Sequence, residues 1–194
     1  VNDSVTFIVA THRDDRPLAR CLHSIAHQMG PNDEVIVVGD TLESELAETQ
    51  KIVSSFGSSF RYLPYNAGHH CWGHCQHNYA ITQAQGEYIH LNDDDDVWTQ
   101  NARHDIARAM KTWPGQLFLF RFKSYFGTIF WENPGLMARN HIGGHCMVVP
   151  NDQDKIGKFT CEYSGDFDWI RDTHLNYSER AIWIDAILAQ ARPG

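Results

Sequence analysis

The chain has 194 residues, 42% hydrophobic and 21% charged, with a formal net charge of −8. That length buries a core without disulfide or metal staples, and that composition excludes wholesale disorder. No stretch approaches the ~20 apolar residues that cross a bilayer, and the acidic balance is a poor footprint for nucleic acid or anionic membrane, which take a basic face.

In chain order, Val5 to Ala10 is a short β-rich run of the kind that makes a buried strand. Pro17 to Gln28 then reads as a helix, with Leu18, Cys21, Leu22, Ile25 and Ala26 at helical spacing, Pro17 near a first turn and Gly30 past the end. Glu34 to Val38 reads as a second strand, Glu43 to Ser54 as a helix and Phe60 to Leu63 as a third strand. Gly73 to Gln85 reads as a helix, and Glu87 to Leu91 as a fourth strand that runs into Asp93, Asp94, Asp95 and Asp96. Strands alternating with helices imply a mostly parallel sheet covered by helices on both faces. Beyond it, Thr99 to Met110 is a helix and Leu117 to Phe122 a strand. Residues 124–145 are aromatic- and Gly-rich, His145 to Val149 is a strand, Asp166 to Leu175 a short helix and Ala181 to Ile184 a final strand.

In open α/β sheets, ligands sit at the carboxyl ends of the strands. Asp40 and the run Asp93–Asp96 both fall at such ends. Four consecutive aspartates repel one another and raise each other's pKa. Alone, such a run reads as a solvated face; directly after a core strand it reads as a site for a hard divalent cation, Mg²⁺ or Mn²⁺.

These motifs resemble glycosyltransferase family 2, the nucleotide-sugar-dependent enzymes of the GT-A fold. The matching residues are Thr11 and Arg13 after the first strand; Leu18, Cys21, Leu22, Ser24, Ile25 and Gln28 in the first helix; Asp40 after the second strand; Asn66, Gly68 and Asn78; Gly86 to Ile89; the aspartate run; Trp98; and Gly165 to Asp168. The resemblance implies a single α/β (Rossmann-like) GT-A domain over 1–194, with a nucleotide-sugar-binding half at 1–98 and an acceptor-binding half at 99–194. It also implies a DXD motif in which Asp95 contacts the metal, Asp93 lies at the metal or the ribose and Asp96 supports them, with Asp94 beside the donor.

By the same resemblance, Thr11, Arg13 and Asp40 lie near the base and ribose, and Asp166 is the general base of an inverting displacement. The residues themselves leave other roles open. Asp40 serves equally as a helix cap or turn residue, Thr11 as a simple strand end and Arg13 as a surface charge. Asp166 and Asp168 also suit a helix N-terminus, where acids are favoured, and Glu162 and Asp168 compete with Asp166 for the role of base. Late histidines, His145 or His174, are candidates for an extra metal ligand or for ordinary packing.

The segment His69 to His77 places His70/His74 and Cys71/Cys75 as i, i+4 pairs, a donor set that suits zinc. Its spacing is not a zinc-finger signature. It is read as a packing helix with donor contacts from Gly68, His69 or Asn78. Five cysteines without a small-scaffold pattern, behind an N-terminus without a secretory leader, lead to an expectation of reduced thiols and a cytoplasmic location.

The expected activity is transfer of one sugar from a nucleotide sugar, most commonly a UDP-sugar, to an unidentified acceptor (glycan, lipid-linked sugar, small molecule or other). Two alternatives stand beside it. One is a nucleotidyltransferase-like enzyme, disfavoured because Thr11 to Asp15 is acidic and lacks Gly; the other is an inactive nucleotide- or carbohydrate-binding module of the same fold.

Overall fold

The computed structural model describes residues 3–11, 15–39, 43–65, 71–177 and 181–192. The first half alternates as the hydrophobic pattern requires: β1 (Val5–Thr11), α1 (Asp15–Ala26), β2 (Glu34–Gly39), α2 (Glu43–Ser54), β3 (Phe60–Pro64), α3 (His74–Ile81) and β4 (Tyr88–Asp93). β1 is buried along its whole length, and β2 and β4 nearly so. This explains why they read as continuous apolar runs rather than alternating ones. The first helix buries Leu18, Cys21, Leu22 and Ile25, the stripe read from its spacing.

The second half contains β5 (Asp96–Trp98), α4 (Ala102–Thr112), β6 (Phe118–Lys123), β7 (Ile129–Phe130), a 3-10 turn (Gly144–Cys146), β8 (Met147–Pro150), α5 (Gly165–Asn176) and β9 (Ile182–Ala191). The strands join in one sheet of order β3-β2-β1-β4-β8-β6-β9-β5, with β7 paired to β6. The pairs β3/β2, β2/β1, β1/β4 and β6/β9 are parallel. The pairs β4/β8, β8/β6, β6/β7 and β9/β5 are antiparallel. The expectation of a mostly parallel sheet therefore holds for the first four strands and is corrected for the rest, which are mixed. The reason is topological: β8 follows β6 and runs back against both β6 and β4, as no βαβ crossover would allow.

Two consequences position the site. The order 3-2-1-4 sends the chain opposite ways from β1, which opens a crevice at the carboxyl ends of β1 and β4. Ala10 pairs with Asp93 there. Because β8 is antiparallel to β4, its first residues arrive at that same edge and bring His145 with them. Likewise β9 ends beside the start of β5, with Ala191 opposite Asp96, so Arg192 reaches the aspartates.

At the opposite end of the sheet, Arg103 of α4 grips Asp33 through Nε (2.6 Å) and Nη2 (3.0 Å), while the Val5 and Gly30 amides donate to the same carboxylate. The pair is buried and fully bonded; removing one partner would strand the other charge, at a penalty of about 3–5 kcal/mol.

Candidate active site

A cleft of about 860 Å³ opens at the carboxyl ends of β1 and β4. One wall is the aspartate run, another is α3 with the turn before it, and a third is the 143–145 segment with the start of α5.

The run is not a loop. Asp93 ends β4, Asp94 and Asp95 form a tight turn, and Asp96 begins β5. The turn separates the four carboxylates. Asp94 accepts a hydrogen bond from the Thr11 hydroxyl at 2.6 Å. Asp95 pairs with Arg192 Nε at 2.5 Å, and the Arg192 amide donates to the Asp95 carbonyl. Asp96 is buried and accepts the Asp93 amide at 3.0 Å. Asp93 and Asp96 also face His145 Nε2, at 3.1 and 3.3 Å. The His145 ring is held flat against Phe122 of β6, centroids 4.6 Å apart.

The electrostatics follow. Burial pushes the Asp96 carboxyl up, to about 7, with Asp93 and Asp95 adding to the shift against the pull of His145. Burial would also raise Asp93, but the charge and hydrogen bond of His145 outweigh it and hold that carboxyl below the ordinary range. Burial disfavours the His145 imidazolium, yet Asp96 and Asp93 together raise it well above its usual value. An imidazolium therefore sits among the acids as their local counter-charge.

Across the cleft, Asp166 lies in the first turn of α5. Its Oδ2 accepts the Gly144 amide at 3.3 Å, and its Oδ1 faces His74 Nε2 at 3.2 Å. The other ring nitrogen, His74 Nδ1, faces the Thr160 carbonyl at 2.8 Å. Both of the ring's partners are oxygens able to accept a hydrogen bond. Burial raises the Asp166 carboxyl, but the His74 hydrogen bond and the His145 charge more than offset it and leave it below the ordinary range.

Gly165 has a steric reason here: a Cβ on it would lie 2.5 Å from both His74 Nδ1 and the Thr160 carbonyl. Any side chain at that position would displace the histidine that neighbours Asp166.

Other candidates fall elsewhere. Asn78 clamps the Phe159 backbone, donating to its carbonyl and accepting from its amide, both at 2.9 Å. Asp168 turns to Arg171 (3.0 Å) and Arg139 (3.5 Å), and His174 lies further along α5; neither lines the cleft. Arg13, Asp40, Gly68 and His69 lie outside the described residues.

Sequence reasoning missed several participants: His74 as the partner of Asp166, the buried His77 whose two ring nitrogens have no hydrogen-bond partner among the described residues, and Arg192 on Asp95. The contacts of His74 and Arg192 span more than 90 residues and leave no local spacing to read. The expectation of reduced thiols is also revised, because Cys71 and Cys161 are joined in a disulfide.

The donor chemistry suits a hard divalent cation: several carboxylate oxygens and one imidazole face a cleft with more negative charge than burial favours.

Residues 6–167 match the family model described as Glycosyl transferase family 2. No curated protein sequence matches the chain. Among solved structures, S. aureus TarS superposes with a TM-score of 0.79 at 19% identity, over 98% of this chain and 37% of that one. TarS 1–349 in complex with UDP-GlcNAc gives 0.76 at 18% identity, over 98% of this chain and 59% of that one. The mannosyltransferase PcManGT from Pyrobaculum calidifontis, in complex with GDP-Man and Mn²⁺, gives 0.67 at 18% identity, over 97% of this chain and 57% of that one. This chain thus spans from about a third to three fifths of those chains, and at such identity the likeness is one of fold.

Proposed function

The chain belongs to glycosyl transferase family 2, and from that premise we propose that it moves a sugar from a nucleoside diphosphate donor to an acceptor hydroxyl, with the help of Mn²⁺ or Mg²⁺ and with inversion at the anomeric carbon. The observation that carries the reading is the facing of two acidic groups across one cleft: the aspartate run with His145 on one side, and Asp166 with His74 on the other. Neighbours of the same fold that were solved with UDP-GlcNAc and with GDP-Man and Mn²⁺ support a sugar nucleotide as donor.

Asp93 and Asp95, with the His145 imidazole, would hold the cation. Their present counter-charges are the imidazolium and Arg192, which would give way. When bound, the cation neutralises the charge that develops on the departing diphosphate. Asp96, buried behind Asp93, fixes that residue's backbone by accepting its amide. Thr11 holds the turn through Asp94.

Asp166 is half-exposed toward the cleft and takes the proton of the acceptor hydroxyl as its oxygen bonds to the anomeric carbon and the carbon–phosphate oxygen bond breaks. Gly144 and His74 hold the carboxylate in one orientation, and His74 keeps it ionised for the task. Direct attack by an acceptor activated in this way gives inversion.

The test is release of nucleoside diphosphate from UDP- and GDP-sugars, with and without Mn²⁺, for the wild type and Asp95→Ala. The expected result is Mn²⁺-dependent release from one donor class that Asp95→Ala abolishes. Release of pyrophosphate from a nucleoside triphosphate would favour a nucleotidyltransferase instead. Binding without turnover, with or without acceptor, would favour an inactive module.

A further inference from the structure

We propose that Cys71, Cys75 and Cys161, once the disulfide is reduced, form a three-thiolate site for zinc or another thiophilic divalent cation. The three sulfurs come from two segments about 90 residues apart in sequence. Cys71 and Cys75 flank the start of α3, four residues apart, and Cys161 precedes α5 by four. One ligand atom from each falls within 4.8 Å of the others, and the Cys75 and Cys161 sulfurs are 3.4 Å apart. A tetrahedral zinc with Zn–S of about 2.3 Å needs sulfurs about 3.8 Å apart. Opening the Cys71–Cys161 bond brings all three distances into that range with a small movement of exposed or half-exposed side chains.

The geometry favours metal over a relay of the disulfide onto Cys75. With every sulfur pair inside 4.8 Å, Cys75 cannot lie in line with the Cys161–Cys71 bond, as displacement at sulfur requires. The other two cysteines, Cys21 and Cys146, are fully buried elsewhere and supply no ligand.

The chemistry balances with a dithiol reductant. The dithiol passes two electrons and two protons to the disulfide, becoming a disulfide itself, and leaves Cys71 and Cys161 as thiols. Binding of M²⁺ then releases the three thiol protons to solvent. Among the described residues no other His, Cys, Asp or Glu joins the group, so these three sulfurs are the ligands that they supply. Oxidised or metallated, the same side chains tie the start of α3 to the segment that leads into Asp166.

The probe is Co²⁺, whose thiolate charge-transfer absorption reports sulfur ligation and is silent for the carboxylates of the cleft. It therefore reads this site apart from the glycosyl-transfer site. Metal-free chain kept reduced with a phosphine should develop that absorption to saturation at one Co²⁺ per chain, and Zn²⁺ should bleach it. The oxidised chain should show none. Cys75→Ser leaves the disulfide pair intact, and its circular dichroism and melting point verify the fold. It should bind Co²⁺ more weakly by at least about tenfold, since even outer partners of a metal ligand cost that much. Absence of charge transfer in the folded, reduced wild type, or unchanged affinity in folded Cys75→Ser, would overturn the site.

Discussion

Asp166 is placed by its neighbours as much as by its position on α5. A carboxylate with that degree of burial would ordinarily become a weaker acid; here the His74 hydrogen bond and the His145 charge reverse the sign. A base works deprotonated, so turnover limited by Asp166 should hold from neutral pH down past the ordinary aspartate value of about 3.9 before it falls. His74→Phe keeps a ring to stack on Phe159, 5.2 Å away, and removes the bond that lowers the carboxyl. Burial then dominates, and the acid limb of the kcat–pH profile should move to higher pH. Asp166→Asn should reduce turnover by about 10²–10⁴-fold while leaving donor binding intact. An unmoved limb in the first variant, or turnover within tenfold of wild type in the second, would remove Asp166 from the role of base. The candidate acid was legible in the sequence because its motif follows the aspartate run in order. Its partner was not, because His74 meets it across 92 residues and belongs to a His- and Cys-rich stretch that spacing alone assigns to packing.

At the scale of elements, α3 and α5 must approach closely enough for the ring of one to lie where a side chain at the start of the other would stand. Gly165 permits this. Gly165→Ala should destabilise the fold by about 1–3 kcal/mol, as overpacking against backbone does. In a chain of this length that is a loss of several degrees in Tm; an unchanged melting point would show that the two helices have slack.

The elements of the first half were legible because buried parallel strands and amphipathic helices follow the simple periods. α2 matches residue for residue, and α1 differs by two at each end. β5 and β7 are two or three residues long and carry no period at all. β9 runs to ten residues rather than four, since Asp185 and the alanines after Ile184 disguise a strand whose pairing with β6 is itself irregular. The aspartate run itself bridges two strands: its first member completes one and its last begins the next, a pairing that composition does not reveal.

Over the whole molecule, five of the chain's acids, Asp93 to Asp96 and Asp166, line one crevice. The sheet order turns at β1, the returning strand β8 delivers a histidine, β9 delivers an arginine, and both cations meet the acids at the mouth of the crevice. Among the described residues no helix is long and apolar enough to cross a membrane. The central claim is that this crevice takes a diphosphate and a divalent cation together. Anomalous diffraction from crystals grown with Mn²⁺ and a nucleoside diphosphate sugar tests it most directly. The account predicts a manganese peak in contact with the Asp93 or Asp95 carboxylate and with the diphosphate. A nucleotide bound in the crevice with no manganese against those acids, or bound at another face, would contradict it.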